Sequence, residues 1–126
     1  MEPTEVLAEL MSLSSQIEDV AILGGSGFVL GSSGTPERGE QLARVAAELL
    51  AAAADLRPAR EVSRIEVRQA TGSVFVVSEG GRSVVATTVP EPTAGLVVYD
   101  LRTALQRLDE GKPAEKPPKK KDVADA

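Results

Sequence analysis

The densest run of residues able to hold a ligand is Val20-Ala-Ile-Leu-Gly-Gly-Ser-Gly-Phe-Val-Leu-Gly31. Glycine amides after an apolar strand can cradle a pyrophosphate when they open a helix, whose N-terminus adds a favourable dipole. Three features oppose that use here. Counting from Gly25, the third glycine of the dinucleotide fingerprint falls on Leu30. Only Phe28, Val29 and Leu30 separate Gly27 from Gly31-Ser-Ser-Gly34, so no helix can begin there. The rest of the chain also has too few strand–helix units for such a sheet. A P-loop fits still less, because no Lys follows any glycine at the required spacing.

The chain has no His and no Cys, so its Ser and Thr hydroxyls lack the commonest general base. Disulfides, a thiolate nucleophile and imidazole or thiolate metal sites are excluded with them. Carboxylate pairs such as Glu18-Asp19 fall at element ends, where solubility and helix dipoles explain them more simply than acid–base work. The expectation is a protein that is not an enzyme and takes no cofactor or metal.

Charge and composition narrow the partners. With 19 acidic against 14 basic residues the net charge is −5, which argues against nucleic acid, whose binding comes largely from phosphate neutralisation. Phe28, Phe75 and Tyr99 are the only aromatic residues, leaving little for base stacking. No apolar run approaches the roughly 20 residues of a membrane span, so no membrane insertion is expected. The start, Met-Glu-Pro-Thr-Glu, has neither the basic nor the apolar stretch of a secretory signal, and the expected location is cytoplasmic. After Leu108 the composition shifts to Pro and charge; residues 109–126 are expected to be a disordered tail and residues 1–108 one domain. Its Lys119–Lys121 run is diluted by Asp122 and Asp125 and reads as solvated.

The elements follow from periodicity. Thr4 to Ile17 places Val6, Leu7, Leu10, Met11, Leu13 and Ile17 on one helical stripe. Val20–Leu23 and Phe28–Leu30 flank the glycine cluster as a β-hairpin. Thr35 caps a long helix that starts at Pro36 and runs to Leu56. At about 100° per residue, Leu42, Val45, Ala46, Leu49, Ala53 and Leu56 share one side. Ala43, Ala47, Ala51 and Ala54 form a second stripe; Glu37, Glu40, Arg44, Glu48 and Asp55 fill a narrow polar ridge. That is more apolar circumference than one sheet contact covers, and the small side chains predict a second helix packed closely on the spare face.

Val62 to Gln69 alternates, with Arg64, Glu66 and Arg68 on one face and Ile65 and Val67 on the other. Val74–Val77 and Val84–Ala86 are continuous apolar runs joined through Gly80-Gly81, as expected of strands covered on both faces. A last helix starts near Thr93 and buries Leu96, Val97, Leu101, Ala104, Leu105 and Leu108. The order α-β-β-α-β-β-β-α fits an antiparallel sheet with the runs at 20–23, 74–77 and 84–86 in its centre and helices on both faces. The strand at Val62–Gln69 is then an unprotected margin, which pairing with a second copy would cover.

In that order and spacing the sequence resembles the roadblock/LC7 (dynein light chain, MglB-like) domain of the prokaryotic type, over about residues 4 to 108. The resemblance is carried by the hairpin Val20–Leu30, the helix segment Glu40-Gln-Leu-Ala-Arg-Val-Ala-Ala-Glu-Leu-Leu-Ala, the runs Gly72-Ser-Val-Phe-Val-Val and Ser83-Val-Val-Ala, and above all Gly95-Leu-Val-Val-Tyr-Asp-Leu-Arg. Ser26 stands where the family's turn is often acidic. The resemblance implies an α+β (α/β) fold, with a five-stranded antiparallel sheet, the long helix on one face and the terminal helices on the other. It also implies a homodimer made by pairing the long helices and the strand near Ile65, and a Ras-like small GTPase as partner, regulated or scaffolded in signalling or polarity systems. On these grounds the dimer interface is expected at Ala43, Ala47, Ala51, Ala54, Val62, Arg64, Ile65 and Val67, and the partner surface at Glu40, Arg44 and Glu48. The competing expectation is a small-molecule-sensing or structural scaffold without a GTPase.

Overall fold

Apolar runs that continue without alternation must be covered on both sides, and the three found in the sequence lie side by side. The computed structural model describes residues 1–58 and 63–108. Its elements are α1 (Pro3–Leu13), β1 (Ile17–Leu23), β2 (Val29–Ser32), α2 (Pro36–Leu56), β3 (Arg64–Gln69), β4 (Gly72–Glu79), β5 (Arg82–Thr88) and α3 (Ala94–Arg107). All strand pairs are antiparallel, in the order β2-β1-β5-β4-β3. The runs at 20–23, 84–86 and 74–77 therefore occupy the three central strands, and the segments around Val29 and Ile65 the margins.

Alternation along each strand divides the core into two layers. Val20, Ile22, Phe75, Val77, Val84 and Ala86 face α1 and α3, where they meet Val6, Leu7, Leu10, Val97, Leu101 and Leu105. Ala21, Leu23, Val76 and Val85 face α2 and pack on Leu42, Ala43 and Ala46. One long helix on one face and the two terminal helices on the other is the expected architecture. The glycine cluster makes the β1–β2 hairpin: Gly24 N–H donates to the Phe28 carbonyl and Gly27 adopts φ +91°. At α2, the Thr35 hydroxyl accepts from Arg38 N–H at 3.1 Å, with Pro36 as the first helical residue.

Two expectations need correction. The first helix stops at Leu13, not Ile17, because Ser14 turns to extended geometry (φ −106°, ψ 120°) and the chain enters β1. Ile17 is buried in that strand, whereas Leu13 is 74% exposed. A spacing of four residues continued the helical stripe across a real break. In α3, Leu96 is half exposed and Val98 takes a buried place instead, because at about 100° per residue Val98 falls nearer the stripe of Val97, Leu101 and Leu105 than Leu96 does. Val62 and the tail 109–126 lie outside the described residues.

A groove between α1 and α3 is lined by Val6, Leu10, Leu13 and Ala104, with Asp100 set among them. Partial burial raises the Asp100 pKa above its usual 3.8. The folded state then holds this proton more tightly than the unfolded chain, so stability falls as pH rises through the window that begins near 3.8. Asp100→Asn is expected to raise Tm at pH 7 and leave it nearly unchanged at pH 3. Thermal melts of both proteins at the two pH values check this.

Candidate protein-binding surface

The way α2 sits on the sheet decides which of its faces is free. Gly39 stands over β2, where an added Cβ would lie 2.7 Å from the Ser32 hydroxyl. Arg38, on the other flank, donates through Nη2 to Asp19 Oδ2 at 3.1 Å and through Nη1 to Gln41 at 2.7 Å. Thr87 donates to the same Asp19 oxygen at 3.2 Å. Arg38 also closes a polar cavity of about 190 Å³ with Gln69, Thr71, Ser73 and Val74. The Arg38 flank thus looks across β5 and β4 towards β3, and the Gly39 flank towards β2. Asp19, one of the paired carboxylates in the sequence, serves to hold α2 on the sheet.

Propagating at about 100° per residue, the Arg38 flank continues through Val45, Leu49, Ala52 and Leu56. Val45 and Leu49 are half-buried, and Leu56 is 82% exposed, the most exposed large apolar side chain described. Beyond this flank lie Ile65 and Val67 of β3, also half-buried, with Ile65 packed on the α2 core. An apolar ledge therefore runs from the side of α2 down to the sheet margin.

The alanine stripe falls elsewhere. Ala43 is not on a free face; it is 8% exposed against the sheet, because it is only one turn from Gly39 and Ala46. Ala47 and Ala54 lean to the β2 side and Ala51 points outward, all three exposed. Glu40, Arg44 and Glu48 form an exposed ridge on the outer side of α2. Sequence reasoning placed Val45, Leu49 and Leu56 against the sheet. The signal that separates them was present, since positions 38, 45, 49, 52 and 56 repeat at seven and four.

β3 is the open margin. Ser78 N–H donates to the Ser63 carbonyl at 2.9 Å. Bonded residues alternate in an antiparallel ladder, so Ile65, Val67 and Gln69 turn their backbone groups towards β4. Arg64, Glu66 and Arg68 then present theirs outward, where no strand among the described residues receives them. Their side chains are exposed on the α1/α3 side of the sheet, with Glu66 and Arg68 3.8 Å apart. The other margin, β2, has only four residues and is flanked by α1, with Leu7 and Pro3 against Gly31.

A sheet in the order β2-β1-β5-β4-β3 with one long helix opposite two terminal ones is the fold of roadblock/LC7 domains. Among solved structures, a roadblock/LC7 domain from Streptomyces avermitilis is similar with TM-score 0.73 and 17% identity, covering 82% of this chain and 92% of that one. Myxococcus xanthus MglB is similar with TM-score 0.66 and 22% identity, covering 85% and 86%. The gliding protein MglB of Thermus thermophilus gives TM-score 0.69 and 19% identity, covering 85% of each chain. No family model matches the sequence, and no curated protein matches it. No helix among the described residues is long and apolar enough to cross a membrane.

Proposed function

We propose that the chain belongs to the roadblock/LC7 family and acts as a non-catalytic, cytoplasmic homodimeric adaptor that binds a Ras-like small GTPase, as regulator or scaffold. The observation that carries the reading is the apolar flank of Val45, Leu49 and Leu56 on the side of α2 that faces β3, whose outer edge no described strand covers. An exposed edge with flanking apolar surface is an aggregation hazard unless something covers it. A second copy related by a two-fold axis satisfies both at once, because it lays α2 on α2 and β3 on β3. The likeness to MglB and the family resemblance of the sequence support the small-GTPase partner.

In such a dimer Glu40, Arg44 and Glu48 stay outside the contact, and each copy presents this mixed-charge ridge on the outer side of its α2. They are proposed as the partner surface. A regulator of this kind works by ordering its partner's catalytic loops and needs no reactive group of its own. The test is retention of small GTPases from the same genome, loaded with GTP or GDP, on the immobilised chain. Retention in one nucleotide state is expected, with Arg44→Glu together with Glu48→Arg reducing it by roughly tenfold or more. Retention in neither state would favour a scaffold without a GTPase.

A further inference from the structure

The charges on β3 select how two copies of this strand register, an inference that rests on the dimer proposed above. Among the described residues of β3, Arg64, Glu66 and Arg68 turn backbone groups outward. A two-fold antiparallel junction must join outward-facing residues to one another, so the axis can fall at Ile65, Glu66 or Val67. An axis at Glu66 sets Glu66 against its own mate and Arg64 against the partner's Arg68. Every directly opposed pair of charged residues is then of like charge, which is destabilising.

The other two positions oppose unlike charges, and the packing separates them. With the axis at Val67, Glu66 meets the partner's Arg68, but Arg64 meets Ala70 and Ile65 meets Gln69. With the axis at Ile65, Arg64 of each copy meets Glu66 of the other. Glu66 already has its own Arg68 at 3.8 Å, so each carboxylate lies between two guanidinium groups. Ile65 also packs on the α2 cluster, as Leu49 does, whereas Val67 lies outside that cluster. An axis at Ile65 therefore places the strand contact and the α2 ledge at the same level of the molecule.

We propose that the dimer closes about an axis at Ile65, with reciprocal Arg64–Glu66 pairs acting as the register and self-recognition code of the β3 edge. A partner strand without this alternation, or a copy slipped by one residue along the axis, meets like charges or none.

The chain has no cysteine, which makes the test clean. In the proposed register the two Ile65 residues form a non-bonded antiparallel pair, with Cα atoms about 4.5 Å apart, within the range that a disulfide spans. Single variants Ile65→Cys, Glu66→Cys and Val67→Cys are oxidised mildly and run without reductant. Rapid covalent dimer is expected for Ile65→Cys and little for the others. Independently, Glu66→Arg is expected to weaken the dimer roughly thirtyfold by sedimentation, and Arg64→Glu with Glu66→Arg to restore it to within about threefold. Preferential cross-linking at position 66 or 67, or no rescue by the double exchange, would overturn the register while the dimer stands. A monomeric unmodified chain would overturn the dimer itself and this register with it.

Discussion

A chain carrying Val45→Glu and Leu56→Glu is expected to sediment as a folded monomer, with its dimer dissociation constant raised at least about a hundredfold. Leu56 is 82% exposed and Val45 half-buried, so neither substitution removes an interior contact of any size. In the proposed dimer each side chain would be covered, and fully burying a Leu or Val is worth about 1.5–3 kcal/mol. Symmetry counts every loss twice, and the introduced carboxylates must also be desolvated. The matched control is Ala47→Glu with Ala51→Glu, on the outward and β2-facing sides of α2, which should leave the dimer intact. The expected pattern is dissociation by the first pair alone with unchanged far-UV circular dichroism. Dissociation by the alanine pair alone would place the contact on the opposite flank.

Gly72→Ala is expected to cost about 3–5 kcal/mol, lowering Tm by roughly 15–30 °C. Gly72 follows the β3–β4 turn with φ +144°, and a Cβ there would lie only 2.2 Å from the Thr88 carbonyl oxygen. That carbonyl cannot retreat freely. Thr88 is 1% exposed, its hydroxyl accepts from Ser73 N–H at 3.0 Å, and it donates to the Val89 carbonyl at 2.9 Å. The natural comparison is Gly80→Ala, where φ is +64° but nothing lies within 4 Å of the added carbon. It should cost only the backbone penalty of about 1 kcal/mol. Denaturant melts of both variants separate the two contributions, and equal losses would mean that the Thr88 contact is not what excludes a side chain.

The helix α2 was legible to its boundaries, because Thr35-Pro36 is a strong local start and the 3.6-residue period persists over the whole element. The central strands were legible as continuous apolar runs, and the two marginal strands by their alternation. The Thr4–Ile17 segment was misread because the spacing from Leu13 to Ile17 suits a helix as well as it suits two elements. The candidate site was half legible. β3 stood out as an unprotected margin, whereas the α2 flank of Val45, Leu49 and Leu56, read as core, is half-buried to largely exposed.

Period and punctuation are local properties, so the sequence by itself determined the element order, which strands are central and the absence of imidazole or thiol chemistry. A helical period says which residues share a stripe, but not towards which margin of the sheet that stripe leans. Only the tertiary structure decided this, through Gly39 seated over β2 and Arg38 held by Asp19 on β1, contacts that join residues distant in the chain. Those contacts turn the flank of Val45, Leu49 and Leu56 towards the β3 margin of the sheet, which is the surface proposed here for a second copy.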